Sequence, residues 1–292
     1  MQIDFTNPSL ADNLPGTPLQ QSGTYAAVLR SFGCETAVAQ VSDDGALIGR
    51  ARIHARRIGP LRIAWLPRGP VWSDSVTSDQ KRRALTALPR AAPWRALWAI
   101  GGDAAQLRSG LPVARGLQIG ELDLTPCEDA RRAAQHGKWR NRLVRAEAAG
   151  LTVTARPLDM TMDAPLLAQE VAQRRIRRYG ALPQVFIERW AETASDSTLM
   201  LTASEAGTPI AFMLMLLHAP TATYHIGWTG QRGRALNAHT LLMWRAAGHL
   251  AQSGYTQLDL GRVDCARTPG IARFKMGAGA ALRDLGPTAL RL

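Results

Sequence analysis

Of the 35 Lys+Arg residues in this chain, only Lys81, Lys138 and Lys275 are lysine. A lysine retained in Arg273-Phe274-Lys275-Met276-Gly277 points to a need for an ammonium. That compact charge with three donors follows a developing oxyanion or a phosphate better than a wide, planar guanidinium does. The alternative is one more solvated base. Tyr224 and His225 stand side by side on a predicted strand, and His225 is the histidine best placed to act on a substrate. The six histidines (54, 136, 218, 225, 239, 249) share no metal-ligand spacing, and no metal is expected. No Ser-His-Asp or Cys-His-Asp arrangement is readable, so no protein nucleophile is assigned.

Basic residues mark further candidates. Arg131, Arg132, Lys138, Arg140, Arg142 and Arg145 place six bases in 15 positions. At 3.6 residues per turn Lys138, Arg142 and Arg145 share one helix face, either a stripe for a phosphate backbone or a solvated surface. Gly227 to Asn237 (GWTGQRGRALN) carries Gly230, Gly233, Arg232 and Arg234 between a strand and a helix. Backbone amides and arginines there could cradle phosphate, or form a plain basic turn. Arg262 and Asp264 follow Leu258-Asp259-Leu260-Gly261, at a strand's C-terminal end where α/β sheets present functional groups. Asp259 reads as structural, anchoring a loop.

The elements that must position these groups read as α/β. A helix over Thr24 to Arg30 precedes strands Glu35 to Val41 and Ala46 to Ala55, which turn at Asp44-Gly45. A strand at Leu61 to Leu66, a helix at Asp79 to Leu88, and strands at Trp94 to Ile100 and Leu117 to Leu124 follow. The second half repeats the plan. It has a helix over Asp129 to Ala149, a strand Leu151 to Arg156, and helices Pro165 to Tyr179 and Pro183 to Ala194. A meander follows over Leu199 to Ala203, Pro209 to His218 and Ala222 to Gly227. A helix capped at its start runs from Asn237 to Ser253, and a strand covers Tyr255 to Leu260. The 292 residues suit two domains. The boundary is expected at Thr125-Pro126, giving domains 1–125 and 126–279, with 280–292 returning as a closing strand to the first.

A net charge of +12 attracts polyanions without choosing among nucleic acid, nucleotide-linked substrates and anionic membranes. Cys34, Cys127 and Cys265 are odd in number and lack metal spacing, as in a reducing compartment. MQIDFTNPSLADNLPG has no signal-peptide pattern, and the apolar run Ile210 to Leu217 is too short for a bilayer. A soluble, cytoplasmic protein is expected, with no integral membrane association and no DNA partner.

Four ordered segments carry a family resemblance. They are Gln21-Ser22 with Tyr25; Leu66-Pro67-Arg68-Gly69-Pro70-Val71; Lys138-Trp139-Arg140-Asn141-Arg142 with Ala146 and Gly150; and Tyr224-His225, Asn237-Ala238, Trp244, Leu258 to Gly261 and Phe274-Lys275. Together they resemble the Fem-type (FemABX) aminoacyl-tRNA-dependent peptidyltransferases, which consist of tandem GNAT-like N-acyltransferase domains. The resemblance implies mixed α/β sheets, an acceptor groove in the first domain and a donor channel in the second. Lys275 would then touch the tRNA 3′ end or the developing oxyanion. Phe274 would pack against the terminal adenine or the substrate, unless it is an ordinary core aromatic. Arg30, Arg68, Arg262 and Asp264 would meet substrate. Leu29 and Leu182 stand where members acting on UDP-linked muropeptides carry bases, and Arg30, Arg177 and Arg178 lie nearby instead. The acceptor need not be a peptidoglycan precursor.

Three functions follow as expectations. The first is transfer of an aminoacyl group from aminoacyl-tRNA to an amine on a small-molecule or peptide acceptor, with no cofactor. The second is an acyl-CoA-dependent N-acyltransferase. The third is a non-catalytic tRNA-binding protein on the same fold. Neither the amino acid nor the acceptor is legible.

Overall fold

A computed structural model describes residues 1–6, 13–102 and 110–291. The chain forms two compact units, residues 1–118 with 283–292, and residues 119–282. Leu292, at the end of the expected closing strand, and residues 7–12 of the N-terminal segment lie outside the described residues.

Unit 1 contains β1 (Gln2–Thr6), α1 (Gly23–Ser31), β2 (Glu35–Asp43), β3 (Ala46–Ile58), β4 (Leu61–Pro67) and β5 (Val71–Trp72). It continues with α2 (Ser78–Ala91), β6 (Leu97–Gly101) and β7 (Leu111–Ala114), and the chain leaves it through β8 (Leu117–Asp123). Unit 2 contains α3 (Glu128–Ala133), α4 (Gly137–Glu147), β9 (Thr152–Arg156), α5 (Ala164–Arg177), α6 (Gln184–Thr193), β10 (Thr198–Glu205), β11 (Thr208–His218) and β12 (Thr221–Thr229). It continues with α7 (Gln231–Ala235), α8 (Ala238–Gln252), β13 (Gln257–Val263) and α9 (Pro269–Gly277); β14 (Ala281–Leu285) spans the boundary at 282/283, and β15 (Thr288–Arg291) lies in unit 1.

The two sheets share one plan. The first runs β1-β2-β3-β4-β6-β15-β7, with β5 paired to β3; the second runs β14-β8-β13-β12-β11-β10-β9. In each, an antiparallel meander leads through a helix into one parallel neighbour, β4 with β6 and β12 with β13. The architecture is thus mixed α/β in both units. Strand β11 is buried on both faces, which is why TPIAFMLMLLH reads as a continuous apolar run. Its Met213 and Met215 pack under α8, and its Phe212 and Leu214 on the opposite face with Leu167 and Ile187.

Three expectations change. The division at Thr125-Pro126 falls within β8 instead, because that strand lies between β13 and β14 in the second sheet. The closing strand is two: β14 stays in the second sheet, and only β15 joins the first. The helix from Asp129 breaks into α3 and α4, because the His136 amide donates to the Gly277 carbonyl (3.0 Å) rather than continuing the helical ladder. Among the described residues no helix is long and apolar enough to cross a membrane.

Candidate active site

The site in unit 2 begins with two parallel strands that part. β12 and β13 pair only over Thr221–Gln257, Ala222–Leu258 and Thr223–Asp259, although both continue well beyond. At that point β12 bulges. Leu214 of β11 faces Ile226 and Met215 faces Tyr224, so His225 is the extra residue between them. On the other side Asp259 Oδ1 accepts from the Gly261 amide at 2.6 Å, and Gly261 takes φ +71°, a left-handed conformation that favours glycine. The wedge between the strands therefore opens where Tyr224 and His225 leave one strand and Gly261 and Arg262 the other.

Lys275 reaches this opening from α9. It is 7% exposed, and its Nζ donates to the Arg262 carbonyl at 2.7 Å. Burial lowers its pKa to about 8, against the opposing pull of the Asp259 carboxylate. It remains mostly an ammonium near neutrality, with further protons to donate.

Burial pushes the Tyr224 hydroxyl above the usual phenol range, and the nearby Tyr179 and Glu170 add to the shift. A side chain at Gly227 would put its Cβ 2.5 Å from the Tyr224 hydroxyl, so glycine leaves that ring its place. Burial, with a contribution from Arg174, lowers the His225 pKa to about 4, leaving a neutral imidazole. Its Nε2 is buried with no hydrogen-bond partner among the described residues.

The sequence did not reveal the groups behind this edge. Gln173 Nε2 donates to the Gly227 carbonyl (3.1 Å) and the Tyr179 hydroxyl (3.0 Å), tying α5 to the departing end of β12. Tyr179 donates to the buried Glu170 at 3.0 Å. His239 Nε2 lies 2.9 Å from the Trp228 carbonyl and 3.2 Å from that of Phe212. Desolvation lowers its pKa to about 4, so the ring is neutral and donates there. In sequence these are ordinary residues of amphipathic helices; only their partners distinguish them.

Phe274 follows the core-aromatic alternative. It packs against the core, 6.3 Å between ring centres from both Trp139 and His239, because α9 lies close on α4. At Gly277 a Cβ would come within 2.7 Å of Trp139, which fixes that closeness.

In the expected phosphate cradle over Gly227 to Asn237, four amides and both arginines have partners within the chain. Gly230 donates its amide to Ile210, Arg234 to Gly230, Leu236 to Arg232 and Asn237 to Arg234. Arg232 forms two bonds to the Glu205 carboxylate (2.7 and 2.6 Å), and Arg234 donates to the Thr229 carbonyl at 2.6 Å. Asn237 stands at the N-cap but at φ +54° and makes no side-chain cap bond, contrary to the expected capping.

Lys138, Arg142 and Arg145 lie exposed along α4, whose opposite face buries Trp139, Leu143 and Ala146. Arg262 is exposed and ion-paired to Asp264 at 2.9 Å. The Arg267 amide, then Arg262, holds the Asp264 carboxyl below its usual range. Asp264 thus orders the turn after β13. A recess of about 470 Å³ in unit 2 is lined by Thr154, Arg156, Asp163, Gln169, Thr202 and Trp228, away from Lys275, Tyr224 and His225. The geometry of the parted strands, rather than cavity size, defines the site.

In unit 1 Gln21 clamps the loop expected to meet an acceptor. Its Nε2 donates to the Arg52 and Pro67 carbonyls (3.0 and 2.8 Å), and its Oε1 accepts from the Arg52 amide at 2.7 Å. Ser22 caps α1 through the Tyr25 amide. Arg68 follows β4 at φ +53° and lines a recess of about 390 Å³ with Gln20, Trp65, Gly101, Arg115 and Thr288. Arg30 is exposed on α1 and donates to Thr36 (3.0 Å), outside that recess. Among the described residues no cluster of three or more His, Cys, Asp or Glu residues could hold a metal ion.

The family model for the acetyltransferase (GNAT) domain matches residues 129–276, half of the chain. The chain belongs to that family, and its class is N-acyltransferase. The fold is similar over most of its length to a structure of FemX, with TM-score 0.76 at 12% identity, covering 97% of this chain and 96% of that one. A conserved protein of unknown function from Bacteroides thetaiotaomicron gives TM-score 0.60 at 13% identity, covering 99% and 100%. L-PGS from Bacillus licheniformis gives TM-score 0.50 at 13% identity, covering 87% and 83%. No curated protein matches the sequence.

Proposed function

We propose that this N-acyltransferase moves an aminoacyl group from aminoacyl-tRNA to an amine on a small-molecule or peptide acceptor. One observation carries the choice of donor: both arginines of the loop that would hold a coenzyme A pyrophosphate are engaged internally, Arg232 by Glu205 and Arg234 by the Thr229 carbonyl. Lys138, Arg142 and Arg145 lie exposed along one face of α4, spaced as a phosphate backbone requires. The likeness of fold to FemX supports the same reading.

The reaction uses an ester that is already activated. The acceptor's neutral amine attacks the aminoacyl carbonyl, the C–N bond forms, and the carbonyl oxygen becomes an oxyanion. Collapse breaks the ester C–O bond, and the amine's proton ends on the departing ribose oxygen. Lys275 supplies the ammonium that faces the oxyanion, oriented by its bond to Arg262. His225, neutral and with its buried Nε2 unpartnered among the described residues, accepts a hydrogen bond from the incoming amine. Tyr224 stays protonated and available as a donor.

Purified protein, radiolabelled charged tRNA and candidate acceptors should give a labelled amide whose formation is abolished by RNase. Product formed from free amino acid and ATP without tRNA would defeat the proposal. Turnover with acyl-CoA, accompanied by a rise in Tm on adding coenzyme A, would transfer the assignment to that donor. Charge-independent tRNA binding with no turnover would leave a binding protein.

A further inference from the structure

The β3–β4 hairpin of unit 1 ends in a feature that the acyl-transfer reading does not use. Ile58 and Leu61 are the last pair of its ladder and face each other across Gly59-Pro60. They are 60% and 47% exposed. Single exposed apolar residues need no explanation, but a cross-strand pair at the free end of a hairpin gains nothing from the core. Gly59 at φ +59° makes the tight turn that puts them there.

Arginines surround the pair. Arg56, two residues before Ile58, shares its face of the ribbon; Arg57 and Arg62 oppose each other on the reverse face. Arg56 and Arg57 are exposed and make no ion pair among the described residues. Arg62 is engaged by Glu35 (3.1 Å) and lies over the Trp94 ring at 5.8 Å. The tip segment itself, residues 56–62, contains no acid.

We propose that this hairpin tip docks on an anionic lipid bilayer, Ile58 and Leu61 entering the interface and Arg56 and Arg57 meeting the headgroup phosphates. An apolar point behind a collar of cations matches the layered chemistry of a membrane surface. An RNA backbone would use the arginines but gain nothing from the isoleucine and leucine. The proposal is independent of the function assigned to unit 2, and its test needs no acyl donor.

The full chain should sediment with vesicles of phosphatidylglycerol and phosphatidylcholine but not of phosphatidylcholine alone, and salt should release it. Arg56→Ala with Arg57→Ala should lower the partition coefficient by roughly 30-fold. Ile58→Ser with Leu61→Ser should lower it by about tenfold or more, with circular dichroism and Tm unchanged because both side chains are exposed. Wild-type partitioning in the Ile58/Leu61 variant, or no binding of the wild type to anionic vesicles, overturns the proposal. So does loss of tRNA affinity without loss of vesicle binding in the Arg56/Arg57 variant, which makes the tip an RNA contact. A concentration-dependent dimer abolished by Ile58→Ser would assign it to a second copy of the chain and equally overturn it.

Discussion

The ammonium of Lys275 is held 2.7 Å from the carbonyl of Arg262, thirteen residues earlier, across the end of β13. A buried ammonium whose one hydrogen bond among the described residues is to a backbone carbonyl retains its other donors. It is also fixed at the mouth of the parted strands rather than free to wander.

Lys275→Ala should therefore lower kcat by roughly 10²–10³, the scale for losing one oxyanion donor. KM should change little, since the interaction belongs to the transition state. Lys275→Arg should not restore the rate, because the wider fork cannot occupy the same buried point. If the ammonium binds only a tRNA phosphate, the loss appears in KM and arginine repairs it. Steady-state kinetics of both variants separates the cases.

The lowered pKa gives activity and stability opposite pH trends. Activity that needs the ammonium should fall as pH rises through about 8. Stability should move the other way, because burial penalises only the charged form: the penalty is present below pH 8 and is relieved between about 8 and the unfolded value near 10.4. Over that interval the wild type should gain stability relative to Lys275→Met, whose side chain does not titrate. Urea titrations of both proteins at pH 7.5 and 9.5, conditions chosen to straddle the transition, should show the difference.

Replacing Lys138, Arg142 and Arg145 together by Ala should weaken tRNA binding and flatten its salt dependence, the slope of log K against log salt falling by roughly 2 to 3. Arg232→Ala should leave tRNA affinity unchanged, because Glu205 already occupies that guanidinium. Its effect on stability should be small, within about 1 kcal/mol, as for other exposed pairs. Filter binding across a salt series tests both statements.

Gln21→Ala should destabilise unit 1 by about 2–4 kcal/mol in denaturant titrations, since it strands the Arg52 amide and the Pro67 and Arg52 carbonyls in a buried place. Lysine chemistry in unit 2 lies elsewhere, so the residual folded fraction should keep its response to Lys275→Ala.

What the sequence made legible was what local pattern controls. The meander strands on either side of Gly45 and Gly207 follow from alternation and turn residues. The exposed face of α4 follows from helical spacing. Lys275 stood out because it is one of three lysines. What stayed hidden depends on partners distant in sequence. His136 reaches Gly277, Arg232 reaches Glu205, and Gln173 reaches Gly227. The bulge at His225 leaves no local mark either, since it comes from a change of register against β11. Phe274 reads as a ligand contact only through the resemblance; its packing on Trp139 and His239 depends on residues distant in sequence.

β15 lies between β6 and β7, so the first sheet acquires its inner strand only after all of unit 2 has been made. During synthesis on the ribosome, β6 must wait with an unpaired edge while the later unit folds. Its completion is then a late event, tied to residues 288–291. The chain's order of manufacture and its order of maturation are consequently reversed at that one sheet.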